Sequence, residues 1–180
     1  YSTLSRFIFN TTVKQENLLG RGQKLGVDIN LSGDAKRIVL HVTEPYLYDS
    51  NWSLGFDAGY NKANVGPYDQ EQYNGASHLG HPLAPYTRGI ISYLIEDTLI
   101  TYSTANPDRD LYPAEEANGT KSSVAVALEY DKRDDRWSPS KGIFGRSSLE
   151  YAGLGGRKKF TRTELTAMYF KKIIWSLVWR

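Results

Sequence analysis

The residues able to carry chemistry are few and scattered. The three histidines are His41, His78 and His81. His78 and His81 fall on opposite faces of an extended segment and do not converge on one metal ion, and His41 has no neighbouring ligand in sequence. Asp108, Asp110, Glu115 and Glu116 offer hard oxygen donors, but their spacing departs from that of a calcium loop and suits a solvated loop. Without cysteine there is no thiolate ligand, no Cys nucleophile and no disulfide, which leaves the compartment open. Neither a Gly-x-Ser-x-Gly elbow nor a P-loop occurs. The asparagines Asn10, Asn51 and Asn118 each head an Asn-x-Ser/Thr triplet, read as chance because the first lies inside a strand and the second at a strand start. The chain is therefore expected to be no enzyme, with no catalytic residue, cofactor or metal.

One cluster is dense. Asp131, Lys132, Arg133, Asp134, Asp135 and Arg136 put six charges in a row, followed by Pro139 and Gly142. On residue types alone this is a solvated turn, with Pro139 and Gly142 supplying the backbone angles and Arg133 pairing a neighbouring carboxylate.

Such a turn needs strands to hold it, and the hydrophobic periodicity supplies them. Trp52, Leu54, Phe56, Ala58 and Tyr60 alternate with Ser53, Gly55, Asp57 and Gly59. Residues 24–31 and 123–130 repeat the same two-residue period. Segments 6–16, 37–43 and 160–169 show it more weakly, and 76–81, 87–102, 143–154 and 174–180 complete a set of about ten strands with no helix. The chain has the length of one domain, 180 residues, of which 40% are hydrophobic and 13% aromatic. A net charge of +2 without basic clusters argues against nucleic acid. No apolar run is long enough for a transmembrane helix and no signal peptide opens the chain, so a membrane role requires strands.

Many of the strands run to about 9 to 12 residues, the length that crosses a bilayer when tilted. Connections 17–22, 44–51, 82–86 and 134–142, with a turn around Lys171 and Lys172, are short or tight. The opposite set holds the two longest polar segments, 62–75 and 103–121, which an up-and-down sheet places at one end, as outer-membrane barrels do. A soluble β-sandwich also alternates. The barrel is preferred because Lys24, Asp28, Gly55, Asp57 and Gly59 suit a wet lumen and because aromatics lie near strand ends. Trp52, Tyr60, Tyr102, Tyr130, Tyr151, Tyr169, Trp175 and Trp179 are the expected membrane-interface aromatics.

Tyr130, Asp131, Lys132, Arg133 and Asp134, with Pro139 and Gly142, resemble the strand and periplasmic turn of the Omp85 superfamily. Asn17, Leu18, Leu19, Gly20, Arg21 and Gly22 look like that family's early turn, and Thr43, Glu44, Pro45 and Tyr46 like its next one. Ser53, Leu54, Gly55 and Phe56 open a strand as members do, and the order and spacing of all four stretches agree. The resemblance covers nearly the whole chain, but only the middle of the family's barrel.

That resemblance implies an all-β fold: an antiparallel transmembrane β-barrel segment, about ten strands of a 16-stranded barrel, with residues 1–180 as one partial barrel domain. The strands would be the second to the eleventh, and 103–121 the fourth external loop. Neither POTRA domains nor the family's Val-Arg-Gly-Phe signature occurs here, and ten strands would leave two unpaired edges in hydrocarbon, so the chain is expected to be part of a longer protein, with strands supplied by another chain or an engineered closure into a smaller barrel as the alternatives. Further implications are a bacterial outer-membrane location and assistance to the folding and insertion of other barrels by strand templating and membrane thinning. The implied partners are outer-membrane lipids and lipopolysaccharide, unfolded outer-membrane protein clients and accessory assembly lipoproteins. A translocation pore or autotransporter assembly factor of the same superfamily, a passive channel and a soluble glycan-binding sandwich are the alternatives.

Overall fold

The computed structural model describes residues 8–66, 68–102, 118–174 and 177–179. They form one sheet of ten strands, each paired with its neighbours in chain order, with β1 and β10 at its edges. The strands are β1 (Ile8–Leu18), β2 (Gln23–Ser32), β3 (Ala35–Glu44), β4 (Ser53–Asn64), β5 (Tyr68–Ala84), β6 (Thr87–Tyr102), β7 (Gly119–Asp131), β8 (Gly142–Gly156), β9 (Phe160–Ile174) and β10 (Leu177–Trp179). Every pairing is antiparallel.

Directly opposed residues share a face of a sheet, so the register decides whether the alternation of one strand continues into the next. It does. Phe56 is opposite Val42 and Ser77, Val42 opposite Leu25, Ser77 opposite Tyr93, Tyr93 opposite Val124, and Val124 opposite Tyr151. One face is thereby apolar from β2 to β8. The other carries Asp28, His41, Asp57, His78, Glu96, Lys121 and Glu150.

Among the described residues no second layer covers the apolar face. Phe56, Val126 and Leu149 remain 52%, 50% and 52% exposed, and among the described residues the buried hydrophobic ones are Ala127, Ala152 and Phe170. A compact monomer of 20.3 kDa would expose about 8,800 Å², whereas this sheet exposes 13074 Å². The hydrophobic residues are sorted onto one side but not withdrawn from the surroundings, so that side requires an apolar medium. The dry inward-folded core of a sandwich is absent from the described residues.

Three expectations are corrected. Residues 62–75 are not a long loop: β4 continues to Asn64 and β5 begins at Tyr68, leaving three residues between the two strands. Polar composition suggested a loop, but a strand solvated on both faces keeps its ladder on backbone hydrogen bonds and cross-strand pairs such as Asn64 Nδ2 to Asp69 Oδ1, 2.8 Å. The expected pair of long loops thus reduces to 103–121, of which 103–117 lie outside the described residues and 119–121 belong to β7. Lys171 and Lys172 are no turn either. They lie within β9 opposite Trp179 and Val178. Finally, the connection after β3 contains a single 3₁₀ turn, Leu47–Asp49, where no helix was expected.

Candidate functional site

The charged cluster after β7 is an ordered turn. The Asp131 carboxylate receives two hydrogen bonds from Arg133, from Nε at 2.8 Å and Nη2 at 2.9 Å, and Arg136 Nε approaches its other side at 3.3 Å. The Arg133 guanidinium lies 4.7 Å over the Phe144 ring of β8. Asp134 reaches across the turn and accepts from the Ser140 hydroxyl, from Lys141 N at 3.0 Å and from Ser140 N at 2.9 Å. These donors, the hydroxyl foremost, hold the Asp134 carboxyl far below the usual carboxylate range. Asp135 Oδ1 accepts from Trp137 N and Ser138 N at 2.7 and 2.6 Å, just before Pro139. Gly142 closes the turn at φ +121°, where a β-carbon would stand 2.2 Å from the Lys132 carbonyl oxygen.

The two earlier motif turns lie at the same end of the sheet, because alternate connections of an up-and-down sheet share an end. In the first, Asn17 Oδ1 accepts from Gly22 N at 2.7 Å, and Leu19, Gly20 and Gly22 all take positive φ, 54°, 74° and 74°. In the second, Glu44 accepts from Tyr46 N at 3.2 Å across Pro45 and from Gln23 Nε2 at 2.8 Å, which ties this turn to β2. An open cleft of about 840 Å³ separates the two turns, lined by Arg21, Gln23, Glu44, Tyr46 and Tyr48 among others.

The expected aromatics fall into two rows. Trp52, Tyr130 and Tyr169 lie toward the turn end, and Tyr60 and Tyr151 toward the opposite end. Trp52 stacks on His81 at 4.3 Å, Tyr130 meets Tyr86 at 6.4 Å and Tyr60 meets Tyr73 at 5.1 Å. Tyr151 and Tyr169 are half-exposed on the apolar face, and Tyr102 contacts Tyr68 at 6.1 Å. Trp179 is in β10; Trp175 lies outside the described residues.

Sequence reasoning missed a chain of polar contacts across the opposite face. Thr12 Oγ1 donates to Asp28 Oδ1 at 2.6 Å. His41 Nε2 lies 3.3 Å from Asp28, and its Nδ1 lies 2.7 Å from Asp57 Oδ1. The other oxygen of Asp57 holds His78 Nε2 at 2.8 Å, and His78 Nδ1 meets Ser92 Oγ at 2.8 Å. Six adjacent strands, β1 to β6, are thus joined side by side. His41 and His78, 37 positions apart in the chain, converge on one carboxylate because β3 and β5 flank β4. Only the register reveals that. A second network continues from β6 to β9: Lys121 Nζ stands 3.4 Å from Glu96 and 3.6 Å from Glu150, and Ser123 donates to Glu150 at 2.7 Å. Arg162 completes it, 3.8 Å from Glu150. Among the described residues no group of three or more His, Cys, Asp or Glu is arranged to hold a metal.

These contacts consume the polar groups laterally, and what remains available is surface: an apolar face, a polar face and an end of ordered turns. Compared with known proteins, the chain matches the Omp85 superfamily domain over residues 17–180. It is 22% identical over 164 residues to the outer membrane protein assembly factor BamA of Nitratidesulfovibrio vulgaris, an alignment spanning 90% of this chain and 21% of that protein. Its fold matches the crystal structure of BamA from Haemophilus ducreyi lacking POTRA domains 1–3, with a TM-score of 0.71 at 18% identity, over 89% of this chain and 34% of that one. The chain therefore spans about a fifth of the curated relative and about a third of the solved structure.

Proposed function

The chain belongs to the Omp85 superfamily, and on that premise we propose that it forms part of the barrel wall of an outer-membrane assembly protein that helps other β-barrel proteins fold and insert. The observation that carries this reading is the sheet with an uncovered apolar face on one side and a laterally satisfied polar face on the other. Such a sheet separates acyl chains from a wet lumen and would precipitate in water. The name of the curated relative supplies the assembly role.

No covalent step is needed. In this reading the residues of this chain act by position, as a stable wall against which further strands complete a barrel. The 16-strand size, the outer-membrane location, and the contacts with lipids, lipopolysaccharide, unfolded clients and accessory lipoproteins belong to the same proposal. Strand templating uses free backbone donors and acceptors at a sheet edge, and thinning follows where a belt is shorter than the bilayer core. The turns built on Asn17, Glu44 and Asp134 would face the periplasm, where accessory subunits meet the barrel.

The test is the full-length protein reconstituted in lipid vesicles with an unfolded client barrel, its folding followed by the heat-dependent shift in electrophoretic mobility. Folding faster than in protein-free vesicles is the expected result. An unchanged folding rate together with steady ion conductance would replace the assembly reading with that of a passive channel.

A further inference from the structure

Charge is distributed unevenly along the turn end of the sheet. Residues 17–22 and 44–51 hold Arg21 against Glu44 and Asp49, and 82–86 hold no charge. Residues 130–142 and 169–174, at the same end of β7, β8 and β9, carry six cations, Lys132, Arg133, Arg136, Lys141, Lys171 and Lys172, against the three carboxylates Asp131, Asp134 and Asp135. Those carboxylates are already engaged. Asp131 is held by Arg133 and Arg136, Asp134 by Ser140 and the Lys141 N–H, and Asp135 by the N–H groups of Trp137 and Ser138. Lys132, Lys141 and Lys171 make no ion pair among the described residues.

The register puts two of these lysines on the apolar side. Lys132 N donates to the Ile143 carbonyl at 2.9 Å and extends the β7–β8 ladder by one residue, so Lys132 stands opposite Ile143, which stands opposite Tyr169. Tyr130 and Tyr169 belong to the apolar face, and Lys132 and Lys171 each follow one of them by two residues. The Lys132 ammonium lies 5.6 Å over the ring of Tyr86, which meets Tyr130. Both lysines are exposed. We propose that Lys132 and Lys171, with Tyr86, Tyr130 and Tyr169, form a binding site for an anionic glycerophospholipid in the leaflet nearest the turns. The lysine stems run along the apolar face and the ammonium groups reach the headgroup level, where a lipid phosphate supplies the negative charge that the protein does not. A partner arriving from water meets the tip of the turn, not the membrane side of the sheet, and a zwitterionic headgroup offsets its phosphate with its own ammonium. At the opposite end Lys36 and Lys62 also face each other on the apolar side, but Glu71 pairs with Lys62, and Asp34 and Asp69 line the same recess. The preference is thus confined to one corner of the wall. It names the lipid class that this corner selects, so it rests on the barrel-wall reading but not on assembly activity.

The test uses the full-length protein in vesicles of equal phosphatidylglycerol and phosphatidylethanolamine, extracted in mild detergent, with bound lipids counted by native mass spectrometry. Retention of phosphatidylglycerol above its share is the expected result. Lys132→Gln and Lys171→Gln each lower its affinity relative to phosphatidylethanolamine about fivefold. Lys36→Gln leaves the ratio unchanged, and heat-dependent mobility shows that all three variants are folded. Equal retention of the two lipids, or a ratio indifferent to both Lys132→Gln and Lys171→Gln, would overturn the proposal. Vesicles that also contain lipopolysaccharide separate the two phosphate-bearing lipids: phosphatidylglycerol should stay bound, and its displacement would give the site to the glycolipid and overturn the proposal equally. Lipid retention is read without a client, so failure of this site and failure of the assembly reading are distinguishable.

Discussion

At the scale of single residues, the turn after β7 shows how charge density becomes order. Asp134 is solvated yet collects two backbone N–H groups and a hydroxyl. Because its pKa in the folded protein lies below the ordinary value, its contribution is complete once the pH is above the ordinary carboxylate range of about 4 and is lost as the pH falls toward the depressed folded value. Hydrogen exchange at Ser140 and Lys141 should therefore stay slow through the range where exposed carboxylates protonate, and Asp134→Ala should speed it at neutral pH. Unchanged exchange in that variant would remove Asp134 as organiser of the turn. Gly142 is bound by sterics, since any β-carbon there meets the Lys132 carbonyl. Gly142→Ala should cost about 1 to 3 kcal/mol, read as a lower unfolding temperature of the full-length barrel. The charges, Pro139 and Gly142 marked this turn in the sequence, as did the pairing of Arg133, because turn chemistry is local. The partners of Asp134 were not legible, since they depend on how the backbone closes.

At the scale of strands, periodicity located all ten elements but misjudged where several end. An alternation signal exists only while one face is apolar, so it faded beyond Tyr60 and Tyr73 although β4 and β5 continue as a polar hairpin. The same limit hid the end of β9, where Lys171 and Lys172 read as a turn. The polar ladder belongs to this scale too. Asp57→Ala would remove the acceptor shared by His41 and His78, and the loss of two hydrogen bonds should cost about 1 to 3 kcal/mol. Thermal unfolding of the full-length protein in detergent measures it, and a midpoint equal to that of the parent would show that the ladder adds nothing. Asp57 had been legible only as a lumen-facing residue.

At the scale of the whole molecule, the decisive property is which side is greasy. Val126 and Ala125 are neighbours in β7 but point to opposite faces. Val126→Lys should block stable membrane insertion of the full-length protein, at a cost of about 2 to 4 kcal/mol if it lies near the bilayer midplane, whereas Ala125→Lys should leave insertion intact. Equal behaviour of the two variants, judged by membrane fractionation and heat-dependent mobility, would contradict the assignment of faces. The two-residue period by itself determined that the chain makes long strands with one apolar side, because alternation is a property of each strand alone, and the turn motifs tied those strands to a family. Whether that side folds back on itself or lies open was decided only in three dimensions. So was the meeting of His41, Asp57 and His78, since pairing between distant segments depends on a register that no single strand contains.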